Sequence, residues 1–523
     1  MNFDQNSDHE QPASPEPNSN EQSGLPQYAP PQSDLQQTPV MAEAVVDHDS
    51  YKPLSWSGLI AWAFVLGLSG FMIAIVAIGQ YQVSREVGGD AAPADLMQIQ
   101  IQAKVLVGQE SIAPGQAQNM LTPELDSGSY EQRICYSVLV NELKGPTEAL
   151  EHLKKTDEAA TNANLELTKD QTRLRELMYQ LMQQYEDGNP DSGSLPEADQ
   201  QFVKDKLQWI GELALLPSDS PNTTARNALV SYGSMLVFAF TGVLVFGGLM
   251  LLIGFGISVV FAALVGTRKL RSGFHTRQYD HNIYIETFAI WMGLFFGSSI
   301  GLSILNSIFN FMDDKISLMI QPFVFFGSLV ALVWPIVRGI SFKQMRKDIG
   351  WTSEKPVVNL AASVPAYLAT IPYLLPCVVF VVVMMAIFAG AQDAPEFSRQ
   401  AGPSHPIQEE VMLGGTTTLA LVFITACICA PVVEETMFRG VLYRHLRDIT
   451  GKWRRWASVV FAAVLNGLIF ASIHPQGLFG IPMLTMLAIG FSLTREWRGS
   501  LVSSMVMHFM HNALVTCVML AIL

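Results

Sequence analysis

Apolar residues along this chain gather into long runs rather than the mixed pattern of a soluble domain. The runs lie at about 58–79, 234–266, 285–305, 317–337, 361–389, 413–440, 457–474, 479–493 and 500–521. A bilayer core is crossed by about 20 apolar helical residues. The pattern therefore predicts an all-α fold: a polytopic transmembrane helical bundle of about nine spans, the seventh and eighth of them short. Between the first two runs the pattern changes. Residues 80–233 are rich in helix formers, with apolar positions three and four apart (Leu174, Leu177, Leu181), which predicts packed helical hairpins or a coiled-coil-like lobe. Asp187-Gly188-Asn189-Pro190 ends one helix there and another is expected over 196–216. The segment reads as a platform for a substrate or protein partner, or as a solvated helical spacer.

Residues 1–56 are dominated by Pro, Gln, Ser, Asn and acids (PASPEPNSNEQSG), a composition that predicts a disordered acidic tail. The run at 57–79 lies too far from Met1 for a cleaved signal peptide and is expected to be a signal anchor. The multi-pass membrane domain then occupies 234–523.

Charge sets the orientation. Of the 523 residues only 15% are charged, and the net charge is −14. Residues 1–56 hold nine acids and one Lys, and residues 80–233 hold 23 acids and 12 bases. Such acidic polar parts argue against a nucleic-acid partner. The connections at 267–283, 338–356 and 444–456 are basic, whereas 306–316 and 391–412 carry one base each (Lys315, Arg399). The positive-inside rule places the basic set in the cytoplasm. The N-terminus is then cytoplasmic, and 80–233 and the C-terminus lie outside a cell membrane. Cys135 is alone in its polar segment, so no disulfide forms within it. The other four cysteines lie in or beside apolar runs.

Ionisable residues inside a span are costly, roughly 2.5–3.5 kcal/mol each at the centre, and mark function. The sixth run contains Glu434, Glu435 and Arg439; His474 follows in LIFASIHP, and His508, His511 and Asn512 in SSMVMHFMHN. Glu435 and Arg439 are i and i+4 and share a face, so they are expected to pair. Glu434 points about 100° away. His508 and Asn512 share a face and His511 does not. At 1.5 Å per residue the polar groups of three helices reach roughly 12–25 Å from the cytoplasmic face, well inside the bilayer. His445 falls in the basic loop and is expected to be solvated.

These motifs, E-E-x-x-x-R, F-x-x-x-H (Phe470, His474) and H-x-x-x-N, in this order on late spans, resemble the CPBP family of type II CAAX prenyl proteases and bacteriocin-processing or self-immunity proteins, also called glutamate intramembrane proteases. The resemblance covers about 340–520. It implies an intramembrane endopeptidase acting on a peptide or membrane-protein substrate in or beside the lipid bilayer. It further implies that Glu434 with His474 activates a water, that His508 and Asn512 form the oxyanion hole, and that Glu435 and Arg439 support Glu434. No cofactor is favoured; the alternative is zinc held by Glu434, His474 and His508, although H-E-x-x-H is absent and Asn is a poor zinc ligand. Rival readings are a non-catalytic membrane scaffold or immunity factor with the same fold, and a proton-coupled transporter.

Gly297-Ser298-Ser299-Ile300-Gly301 fits G-x-S-x-G but lies inside an apolar run rather than between strand and helix. Gly293, Gly297 and Gly301 are better read as a helix-packing face. Pro365, Pro372 and Pro376 are expected to kink the fifth span, for packing or as a substrate gate.

Overall fold

A computed structural model describes residues 55–522 apart from 84, 92, 123–124, 277–281, 311, 313, 352–354, 392–394 and 399–414. The expected disorder of the tail falls outside the described residues. The described chain is all-α, and nine of its helices are long and apolar enough to cross a membrane. Each coincides with an apolar run of the sequence. The first is α1 (Trp56–Val83).

A separate lobe follows, built from α2 (Pro93–Ile112), α3 (Tyr130–Lys144), α4 (Pro146–Asn162), α5 (Lys169–Glu186), α6 (Glu197–Leu207) and α7 (Trp209–Leu215). Its helices start where the sequence supplies caps. Ser129 and Gln132 form a capping box on α3, and Thr168 and Gln171 form one on α5. The 3–4 spacing of Leu174, Leu177 and Leu181 places all three in a core with Ile134, Leu139, Val203 and Ile210. The segment is thus a packed helical lobe with its own core. The single helix expected over 196–216 is broken at Gln208, where the backbone turns to φ 53°.

The lobe runs directly into the membrane part through α8 (Thr223–Gly266), 44 residues long and so about 66 Å from end to end. Gly108 of α2 and Gly233 of α8 let the two backbones meet; a Cβ on either would collide with the other's main chain. Arg226 of α8 pairs with Glu142 and donates to the Leu216 carbonyl at 2.7 Å. The core is closed by a residue from elsewhere in the chain. Phe397 is 2% exposed, at φ 63°, with the Arg133 guanidinium 4.1 Å over its ring and Arg133 also paired to Glu396 at 3.4 Å.

The remaining spans are α9 (Asn282–Phe309), α10 (Asp314–Ser328) extended by a tight turn and α11 (Val333–Val337), then, after the short α12 (Phe342–Ile349), α13 (Pro356–Ala391). They are followed by α14 (Thr416–Ile449), α15 (Arg455–Ser472), α16 (Ile481–Arg498) and α17 (Val502–Ile522). All three prolines lie inside α13. Pro372 cannot donate to the Leu368 carbonyl, and Gly254 of α8 packs against that carbonyl while Ser258 donates to Ala369 O at 2.8 Å. This proline serves helix packing. The expected glycine face on α9 holds only in part: Gly293 would meet Phe64, but Gly297 and Gly301 border open space.

A second correction concerns the basic segment after the sixth run. The helix continues to Ile449, so Arg444, His445 and Arg447 are buried rather than in a solvated loop. Arg444 pairs with Asp448 at 2.7 Å and Asp348 at 3.7 Å, and Arg447 pairs with Glu496 at 3.1 Å. His445 Nε2 accepts from Trp62 Nε1 at 3.0 Å, tying α1 to α14. Asp448, one turn along the same helix, and Asp348 and Glu496 from other helices make these burials tolerable; local spacing announces only the first.

Candidate active site

α14 departs from regular α-helix on both sides of its glutamates. Ile424–Cys429 and Glu435–Leu442 are π-helical, a wider winding frequent at functional sites. In the first stretch the bonds run from residue i+5 to residue i, as Ala430 N–H to Thr425 O shows. The next donor in that series would be Pro431, which has no N–H. Ala426 O therefore lacks a main-chain donor, and Asn512 Nδ2 of α17 supplies one at 2.7 Å.

Glu435 and Arg439 pair as the spacing predicts, at 2.9 Å, with both side chains fully buried. Arg439 also donates to Ala488 O at 3.3 Å, and its guanidinium lies 4.5 Å from the Phe470 ring centre and 5.1 Å from that of Phe491. The aromatic faces and the carboxylate together replace the water that this cation loses. Glu435 Oε1 takes a second hydrogen bond, from His508 Nδ1 at 3.1 Å. The His508 ring stacks on Phe491 with centroids 5.1 Å apart.

Glu434 is placed differently. Its side chain is 13% exposed, against 0% for Glu435. Oε2 lies 3.7 Å from His474 Nε2 and 3.9 Å from His508 Nε2, too far for direct hydrogen bonds. His474 Nδ1 meets the Phe470 carbonyl at 2.5 Å. A carbonyl only accepts, so Nδ1 carries the proton and, in the neutral ring, Nε2 presents a lone pair toward Glu434. His508 is held the same way by Glu435, with Nε2 turned to Glu434.

Five of the six residues singled out in the sequence thus converge: Glu434, Glu435, Arg439, His474 and His508. Asn512 is committed to Ala426 O rather than to the carboxylates. His511 lies apart, 3.3 Å from the Tyr367 hydroxyl. Sequence reasoning missed the Phe470 and Phe491 faces around Arg439, for which a signal existed in the F-x-x-x-H spacing, and the Ala426 carbonyl, for which Pro431 was the signal. Ser298 and Ser299 each donate to Phe295 O at 3.0 Å within their own helix, and the G-x-S-x-G pattern lies inside α9 rather than in a strand-to-helix turn. Among the described residues no group of three or more His, Cys, Asp or Glu side chains is arranged to hold a metal ion.

Comparison with known proteins adds one finding. No curated protein and no solved structure matches the chain. The family model described as type II CAAX prenyl endopeptidase Rce1-like matches residues 416–514. That stretch begins with α14 and ends in α17, so it contains all six site residues and leaves α1, the lobe and α8–α13 outside. Residues 416–514 of this multi-pass membrane protein are thus similar to Rce1-like type II CAAX prenyl endopeptidases, a protease family consistent with the CPBP resemblance.

Proposed function

We propose that this protein is an intramembrane endopeptidase in which Glu434 and His474 activate a water against a peptide bond in or beside the bilayer. The observation that carries the reading is the gap at Glu434: one carboxylate oxygen with two imidazole Nε2 atoms at 3.7 and 3.9 Å. A water there would meet two acceptors, Glu434 Oε2 and His474 Nε2. As its oxygen attacks the scissile carbonyl carbon, Glu434 takes one proton and the carbonyl π pair moves onto oxygen. The second N–H of the Asn512 amide would donate to that oxyanion, as would His508 whenever Nε2 carries a proton while Nδ1 donates to Glu435. Glu434 then returns its proton to the departing amine. General-base help of this kind contributes about 10²–10⁴-fold, and each oxyanion donor about 10²–10³-fold. Glu435 and Arg439 act through His508 and α14 rather than on substrate.

The same reading places the basic connections in the cytoplasm, and with them the N-terminus. The lobe and the C-terminus then lie outside a cell membrane, with the lobe free to receive a protein partner. No cofactor enters the mechanism.

The test compares new protein N-termini in membranes from cells expressing wild type or Glu434→Gln at equal levels. Termini found only with wild type, reproduced with purified components, support proteolysis. Identical profiles from two folded, abundant proteins favour the scaffold. Ion-coupled flux lost in Glu434→Gln, with no new termini, favours the transporter.

A further inference from the structure

The first span is not a detached anchor. A stripe of α1 at helical spacing, Ala61, Val65, Ser69, Ile73, Val76 and Gln80, faces the protein, while Ile75 and Ile78 on the other side are 48% and 55% exposed. The inner half of the stripe joins the membrane core through Ala61 and Val65. Its far end reaches the candidate site. Ile73 and Val76 wall a void of about 10 Å³ whose other side is formed by His474, Gly477, Leu478 and Ile481. That is room for about one water. Below it, the Gln80 amide presses on Gly477, which sits at φ 73° where a Cβ would collide with that amide. The segment from His474 to Leu478 is therefore shaped from outside by α1, a helix beyond the stretch that matches the protease family.

We propose that α1 forms part of the substrate site, with Ile73 and Val76 limiting the size of the substrate side chain held beside His474. The inference rests on the proteolytic reading above and adds two specificity-determining residues to it. The physical argument is position. His474 Nε2 faces the carboxylate that would hold the attacking water, so side chains flanking the scissile bond must pass within a few ångströms of this ring. Phe470 covers one neighbourhood of it, with ring centroids 4.2 Å apart. The void toward α1, lined mostly by Ile73, Val76, Leu478 and Ile481 with Ser472 beside them, adjoins the ring as well, and a space this small accepts a small side chain and rejects a large one.

The experiment uses the full-length protein reconstituted in phosphatidylcholine liposomes with a pooled library of membrane-inserted peptides, cleavage being read by mass spectrometry. Wild type, Glu434→Gln, Val76→Ala, Val76→Phe and Ile75→Ala are compared. Removing the two methyl groups of Val76 from the wall of such a pocket changes discrimination by about tenfold or more. Val76→Ala should therefore raise cleavage of peptides with a bulkier side chain at one flanking position, relative to small ones, by about that factor. Val76→Phe should move the ratio the other way, and Ile75→Ala on the lipid face should leave it unchanged. A ratio unaltered by both Val76 variants, or a uniform loss across the whole library, overturns the proposal. If a Val76 variant fails to fold, the milder Ile73→Val carries the same expectation. Absence of any Glu434-dependent cleavage by wild type is a distinct result, which sinks the proteolytic reading and this one with it.

Discussion

Glu435 and His508, 73 residues apart on α14 and α17, share a 3.1 Å hydrogen bond, and the same carboxylate oxygen holds Arg439 at 2.9 Å. One buried acid thus orients a histidine and neutralises a guanidinium. Its neighbour Glu434, one residue earlier, is left facing two imidazoles. Adjacent glutamates in one helix have opposite duties because a 100° turn separates them.

Breaking this buried pair should cost stability before it costs chemistry. Glu435→Ala strands Arg439 without its carboxylate, a loss of about 3–5 kcal/mol. Glu435→Leu combined with Arg439→Met removes both charges and should recover much of that loss without restoring cleavage. Thermal unfolding of the single and double variants in detergent, read as a double-mutant cycle, checks it.

Asn512→Ala should separate two duties of one amide. Loss of the bond to Ala426 O costs about 1 kcal/mol. Loss of an oxyanion donor would lower kcat about 10²–10³-fold. A drop in kcat far beyond the change in unfolding temperature supports the donor role; matched small effects would make Asn512 a cap for the π-helical carbonyl alone.

Metal removal is expected to leave cleavage unchanged. The side chains that would form a zinc set, Glu434, His474 and His508, are the ones the proposed mechanism already uses to hold and deprotonate a water, so the step needs no metal. Incubation with phenanthroline followed by the terminus assay tests this, and inhibition reversed by zinc would contradict it.

Phe397→Ala should loosen the lobe. The ring is almost wholly buried and held by Arg133, and truncating a buried Phe costs about 3–5 kcal/mol. Hydrogen exchange across α2–α7 should rise in the variant while exchange in α14–α17 stays unchanged.

Acid should weaken the lobe at one identifiable place. The Lys206 ammonium at 2.7 Å, then the Thr168 hydroxyl at 2.6 Å, hold the Asp90 carboxyl below its usual value. Because the folded value lies below the unfolded one, this stabilisation is fully present above about pH 4 and disappears as the pH falls through the folded value. Wild type should therefore unfold at a higher temperature than Asp90→Asn at pH 7, and the difference should shrink steadily as the pH is taken below the ordinary carboxylate range.

Much of this was legible in the chain. Long apolar runs announced every span because the bilayer imposes length and composition on a single segment, with no need of partners. The i, i+4 spacing announced the Glu435–Arg439 pair, and the order of three motifs announced which helices would carry the site. The failures are equally particular. Arg444, His445 and Arg447 looked like a solvated basic loop, yet Asp348, Glu496 and Trp62 come from distant helices to receive them. Gly297 and Gly301 had the spacing of a packing face, but no helix of the described chain comes to them.

The sequence by itself determined local matters: which segments are helical, which residues share a face, and where polar groups enter the membrane. These follow from a 3.6-residue period and from side-chain chemistry. Only the tertiary structure decided which carboxylate is committed to Arg439 and His508 and which is left facing two imidazoles, that Asn512 caps a carbonyl left open by Pro431, and that α1 stands beside His474. Such relations join residues tens or hundreds of positions apart, and they depend on which helix surfaces pack together, a choice no local period records.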